Sequence, residues 1–198
     1  LNEYSDVREV ASIQGFTLQS GIPRRNPFFM RGADCWGWAT WQDRWRDIEL
    51  NPRILMEALK AQNLTKQFDC YGLYPYTKML QNNIEGKNDS WAIRWHATNF
   101  LLERYSLCPP KSLVINTGND GSGTHTRQNT QASKKLLVKE VKIQNWRLPK
   151  RLPPSQINDF LNLTSFLIPF VDRYLNHFKY AFKRQFYSMQ NIFKKKLS

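Results

Sequence analysis

Asn88-Asp-Ser-Trp-Ala-Ile-Arg-Trp-His-Ala-Thr-Asn-Phe-Leu-Leu-Glu-Arg-Tyr-Ser-Leu-Cys-Pro-Pro-Lys-Ser-Leu-Val-Ile-Asn-Thr-Gly-Asn-Asp-Gly-Ser-Gly-Thr-His125 is the stretch that decides the fold. Trp91, Trp95, Thr98 and Leu102 recur at helical spacing, which predicts a helix from about Ser90 to Arg104. Asp89 stands at its start, where a short polar side chain can accept hydrogen bonds from free backbone N–H groups. Pro109 and Pro110 end any helix, and the apolar run Ser112 to Asn116 reads as a short buried strand. The segment from Thr117 to Thr124 holds three glycines and leads into His125. A carboxylate heading a helix, then a strand, then a glycine-rich loop with a histidine, can form one site at a sheet edge. The expected class is α/β.

Towards the N-terminus, Val10 to Phe16 and Phe28 to Arg31 read as strands, separated by a loop from Leu18 to Pro27 with Gly21 and Pro23. Gly32-Ala-Asp leads into Cys35-Trp-Gly-Trp-Ala-Thr-Trp-Gln-Asp-Arg-Trp. Trp38, Trp41 and Trp45 are spaced three and four apart, which puts them on one face of a helix. That face is either a core stripe or an aromatic wall beside a sugar or base. Asn51-Pro52 opens a helix with Ile54, Leu55, Ala58 and Leu59 as its apolar positions. Phe68 to Tyr74 is irregular, and Tyr76 to Asn82 is a short helix.

Beyond His125 the composition changes. Residues 1–126 carry 14 Lys/Arg and 13 Asp/Glu, a net of +1, whereas residues 127–198 carry 15 and three, a net of +12. A neutral body of residues 1–126 is therefore followed by a basic linker, 127–155, and a basic tail, 156–198. Leu136 to Val141 reads as a strand. From Gln156 an apolar stripe through Phe160, Leu163, Leu167, Phe170, Tyr174, Phe178, Phe182 and Phe186 predicts an amphipathic C-terminal helix. Residues 173–198 have basic residues and no Asp or Glu, a pattern suited to an anionic membrane surface. Basic residues interleaved with aromatics also suit a nucleic-acid strand, but such a module would be expected to carry its charge on the folded face. The three cysteines, Cys35, Cys70 and Cys108, form no Cys-x-x-Cys pair, which argues for a reducing compartment rather than a disulfide framework. No secretory signal is visible, and Leu163 to Val171 is too short to span a bilayer. The expected location is cytoplasmic, peripheral at the inner face of the cell membrane.

Three segments in this order resemble bacterial family 2 glycosyltransferases of the GT-A fold: Arg31-Gly-Ala-Asp-Cys-Trp-Gly-Trp-Ala-Thr-Trp-Gln-Asp-Arg-Trp, Asp89-Ser-Trp-Ala-Ile-Arg-Trp and Asn119-Asp-Gly-Ser-Gly-Thr-His. The resemblance covers about residues 5–126. It implies transfer of a sugar from a nucleotide-sugar donor to a glycan or lipid-linked acceptor, in surface polysaccharide synthesis. By resemblance, Asp89 is the base that deprotonates the acceptor hydroxyl, and Arg94 lies near the donor phosphates or the acceptor. Asp34, Trp36, Trp38, Trp91, Trp95, Gly121 and Gly123 fall with Arg94 among the substrate-binding positions, and His125 helps bind a divalent metal, Mg or Mn. The chain departs from the family in two ways. It contains no Asp-x-Asp, the family's metal-holding motif, and so resembles the C-terminal, acceptor-side part of an incomplete GT-A sheet. Trp91 stands where processive relatives have glutamine in Gln-x-x-Arg-Trp, which argues against processive synthesis.

Overall fold

A computed structural model describes residues 1–17, 25–114 and 148–149. The described residues form an α/β unit with a mixed four-stranded sheet. Its strands are β1 (Val10–Gln14), β2 (Phe28–Arg31), β3 (Trp38–Thr40) and β4 (Tyr105–Cys108), in the order β2-β4-β1-β3. β1 runs parallel to β4 and antiparallel to β3, and β2 is antiparallel to β4. The pairing of β1 with β4 shifts register between Val10 and Ser12. An extra residue there puts Val10 and Ile13 on the face they share with Tyr4, Phe29, Tyr105 and Leu107, while Ala11 packs on the other face.

Among the described residues five α-helices accompany the sheet: α1 (Gln42–Trp45), α2 (Pro52–Ala61), α3 (Thr65–Phe68), α4 (Tyr76–Ile84) and α5 (Trp91–Leu101). α2 begins where its sequence signals it. The Asn51 side chain accepts the N–H of Arg53, and Pro52 fills the first helical position. Leu55, Met56 and Leu59 of α2, Phe68 of α3, Leu80 of α4, and Ile93, Ala97 and Phe100 of α5 make one apolar core. α5 is also the element laid against the sheet, because Trp95 packs on Ala11 of β1 and on Ala33.

The structure corrects three expectations. The helix expected from Ser90 to Arg104 ends at Leu101. Glu103 takes a left-handed conformation, φ 54°, and the buried Arg31 guanidinium donates through Nε and Nη2 to the carbonyl of Phe100. A cation on a terminal carbonyl satisfies a group the helix leaves open. The strand expected at Ser112 to Asn116 is instead Tyr105–Cys108, buried at all four positions. Ser112, Leu113 and Val114 are irregular, and the remaining two residues of that expectation lie outside the described residues. The strand expected from Val10 to Phe16 stops at Gln14.

Trp38, Trp41 and Trp45 do not share a helical face. Trp38–Thr40 pairs with Gln14–Ser12 as β3, and the helix covers Gln42–Trp45 alone. Trp41 packs with the sheet cluster and carries the Arg44 guanidinium over its ring at 4.6 Å. Arg44 is 2% exposed, grips both carboxylate oxygens of Asp43 and donates to the carbonyls of Tyr4 and Ser5. That anchor turns Trp41 away from Trp38 and Trp45. Among the described residues no helix is long and apolar enough to cross a membrane. The strand expected at Leu136 to Val141, the basic linker apart from Leu148 and Pro149, and the amphipathic tail lie outside the described residues.

Candidate functional site

The start of α5 is fixed by asparagines. Asn83 donates through Nδ2 to the carbonyl and the side-chain oxygen of Asn88, at 3.0 and 2.9 Å. Asn88 in turn donates to the carbonyl of Met79, and its Oδ1 accepts the N–H of Ser90 at 3.2 Å. Ser90 holds the N-cap position, and its side chain makes no capping bond. Asp89 is therefore not the cap, as one reading of the sequence had it. Its side chain is 94% exposed, and its Oδ1 accepts from Arg94 Nη2 at 3.1 Å. The Arg94 side chain is 17% exposed, and its buried Nε has no partner among the described residues.

Beside this pair stands a wall of indoles. Trp38, Trp45, Trp91 and Trp95 meet with ring centroids 5.2–5.8 Å apart. Trp95 is fully buried beneath them, whereas Trp45 and Trp91 are 38% and 39% exposed. α5 supplies Trp91 and Trp95 one turn apart, and β3 and α1 supply Trp38 and Trp45. The arrangement offers apolar ring surface next to an exposed carboxylate and a cation, which suits a hydroxyl-rich ring.

A second concavity opens on the other side of the Gly32–Asp34 loop. Its empty space, the open mouth included, is about 480 Å³, and it is lined by the C-terminal ends of β1 and β4, by Met30 to Asp34, and by Tyr76 and His96. Its floor is a polar network. Ser12 and Ser106 share a hydrogen bond of 2.7 Å, Ser106 donates to the carbonyl of Gly32 at 2.8 Å, and Gln14 Nε2 donates to Ser12 at 2.8 Å and to the Asp34 carbonyl at 3.1 Å. Gln14 is 3% exposed, and its Oε1 has no partner among the described residues. Asp34 is exposed to solvent on one side and walled by protein on the other. Withdrawal of water raises its pKa, and the Cys35 N–H, 2.6 Å from Oδ1, opposes that rise. The same desolvation, with the Asp34 charge second, pushes the Cys35 thiol up to about 11. Trp36 meets Phe16 edge-on at the rim, 4.6 Å between ring centroids.

His96 closes the inner wall. Its ring stacks on Tyr76 at 4.3 Å, and Nδ1 sits 2.9 Å from the carbonyl and 3.2 Å from the N–H of Ala33. Gly32 makes this approach possible, because a Cβ there would come within 2.5 Å of His96 Cε1 and its φ is 84°. Desolvation lowers the His96 pKa to about 4, partly opposed by the contact with Ala33. The folded state therefore favours neutral His96, and its stabilisation is present above the unfolded pKa near 6.5 and is lost as pH falls towards 4. The ring keeps some surface contact, so we expect about 1–2 kcal/mol to be lost between pH 7 and pH 5. Urea unfolding at both values measures it, with His96→Gln as the non-titrating reference. Asp34, whose shift has the opposite sign, is common to both proteins, so equal losses in the two would remove His96 from the account.

The structure thus brings Trp38, Trp91, Trp95, Arg94 and Asp89 together and places Asp34 and Trp36 at the neighbouring cleft. Gly121, Gly123 and His125 lie outside the described residues. Among the described residues no three His, Cys, Asp or Glu side chains gather to hold a metal, and Asp89 is engaged by a guanidinium. His125, the residue that the resemblance offers to a divalent ion, is not among them. Sequence reasoning missed Gln14, Tyr76, His96 and Ser106. The signal for His96 was available in Gly32, a glycine at a strand end opposite a helix. No family model, no curated protein and no solved structure matches the chain.

Proposed function

We propose that the described residues form the acceptor side of a GT-A-type glycosyltransferase, which moves a sugar from a nucleotide-sugar to a glycan or lipid-linked acceptor in surface polysaccharide synthesis. The observation that carries this reading is the exposed Asp89, held at the start of α5 beside Arg94 and the indoles of Trp45 and Trp91. The acceptor ring lies against the exposed indole surface, and one hydroxyl points at Asp89. As that oxygen attacks the anomeric carbon, the bond from that carbon to the nucleoside diphosphate breaks, and Asp89 takes the hydroxyl proton. Arg94 orients the carboxylate and offers its remaining donors to an anion. The protein expressed from its whole gene is expected to release nucleoside diphosphate from a nucleotide-sugar only when a glycan acceptor is present. A panel of nucleotide-sugars and acceptors that gives no acceptor-dependent release would overturn the reading.

A further inference from the structure

We propose that the cleft under the Gly32–Asp34 loop binds one neutral pyranose ring, with Gln14 Oε1 and the Asp34 carboxylate each accepting a hydrogen bond from a sugar hydroxyl. The proposal deepens the transferase reading, on which the choice of a sugar rests, by naming where a ring is gripped. The cleft's argument is its own geometry.

The first observation is the unmatched oxygen of Gln14. A buried amide oxygen without a donor loses hydration and gains nothing in return, a deficit of about 1–3 kcal/mol. Gln14 is not free to rotate and relieve it, because its Nε2 is committed to Ser12 and to the Asp34 carbonyl. The side chain is 3% exposed and lines the cleft, so its open oxygen asks for a donor from a molecule seated there.

The second observation is the sign of what surrounds it. Three of the cleft's donors are spent internally: the Ser106 hydroxyl on Gly32, the Thr17 hydroxyl on Pro109, and the Arg31 guanidinium on Phe100. Two acceptors stand open beside them, Gln14 Oε1 and the partly desolvated Asp34. An anionic ligand would meet a carboxylate and no uncommitted cation, so phosphate groups are disfavoured. A ligand that presents several donors and no negative charge fits. Phe16, Met30, Tyr76 and the His96 ring give apolar and aromatic walls for the C–H faces of a sugar. The empty space of about 480 Å³ includes the open mouth of the cleft, so a ring is gripped along one edge and keeps its other edge in solvent. Gly32 matters here too, since a side chain there would displace His96.

The ring could be the acceptor's or the donor's, and one experiment separates them. Saturation-transfer NMR on the whole chain would use the methyl glycosides of glucose, galactose, mannose and N-acetylglucosamine, with UDP-glucose and uridine as the other arms. At least one glycoside, or the sugar protons of UDP-glucose, is expected to receive saturation. Glycosides alone identify the acceptor, and the sugar of UDP-glucose alone identifies the donor. Asp34→Asn should weaken binding at least tenfold, as for hydrogen bonds to a charged group, and Gln14→Met should weaken it severalfold. Asp34 is exposed on a loop, and asparagine there keeps an oxygen for the Cys35 N–H. Saturation confined to uridine protons, none from any probe, or equal binding by Asp34→Asn would overturn the proposal. Glycoside binding without acceptor-dependent turnover would leave the cleft standing and remove the transferase reading.

Discussion

Asp89→Asn is expected to lower kcat by about 10²–10⁴-fold in the protein expressed from its whole gene, the usual contribution of a positioned base. The carboxylate is 94% exposed and its one recorded contact is Arg94, so the amide should change neither fold nor stability by more than about 0.5 kcal/mol. Affinity for the nucleotide-sugar should be nearly unchanged, since the amide matches the carboxylate in shape and keeps an oxygen to accept from Arg94. Steady-state turnover with binding measured in parallel checks both halves. Near-normal kcat would remove Asp89 from the mechanism. A matched loss of donor affinity would make it a binding residue instead.

Trp95→Ala is expected to cost about 4 kcal/mol, in the range for emptying the site of a large buried aromatic. Trp95 is 0% exposed and joins α5 to Ala11 of β1 and to Ala33 after β2. Urea unfolding at pH 7 reads the effect. Trp91→Ala is the companion variant. That ring is 39% exposed, so its removal should cost under about 1.5 kcal/mol while raising the KM for acceptor. A small loss in Trp95→Ala, or a large one in Trp91→Ala, would mean that the division between floor and face of the wall has been misassigned.

Where residue chemistry and local pattern agreed, the sequence was readable. Asn51-Pro52 announced α2, Phe28–Arg31 was a strand as expected, and the Trp91/Trp95 spacing placed α5. The failures came where long-range partners decide. Tyr105–Cys108 carries a serine and a cysteine and lacks the apolar run of Ser112 to Ile115, yet it is the strand. Ser106 can be buried there because Gly32 and Ser12 complete its hydrogen bonds, and they lie 74 and 94 residues away. The tryptophan triplet misled for a related reason. Its helical spacing is real, but pairing with β1 sets the backbone of Trp38–Thr40 and the buried Arg44 sets the place of Trp41. Asp89 and Arg94 were legible as neighbours one turn apart. The cleft was not, because its parts come from β1, β2, β4, α4 and α5, and an unmatched oxygen has no signature in a string of residues.

The strand order also governs how the chain acquires its shape. β4 is the last of the described strands in sequence and lies between β2 and β1, so the first three of them cannot form one sheet until Cys108 has been made. Closing β1 onto β4 requires a loop of more than 90 residues, from Val10 to Tyr105, whose entropy must be met before any pairing rewards it. The helical core of α2 to α5 uses local contacts and is complete by Leu101, seven residues before β4 ends. During synthesis the helices can therefore collapse first, with β1, β2 and β3 still holding unpaired edges. That interval is when the nascent protein is most exposed to edge-to-edge aggregation, and a chain stopped before Tyr105 would remain in it.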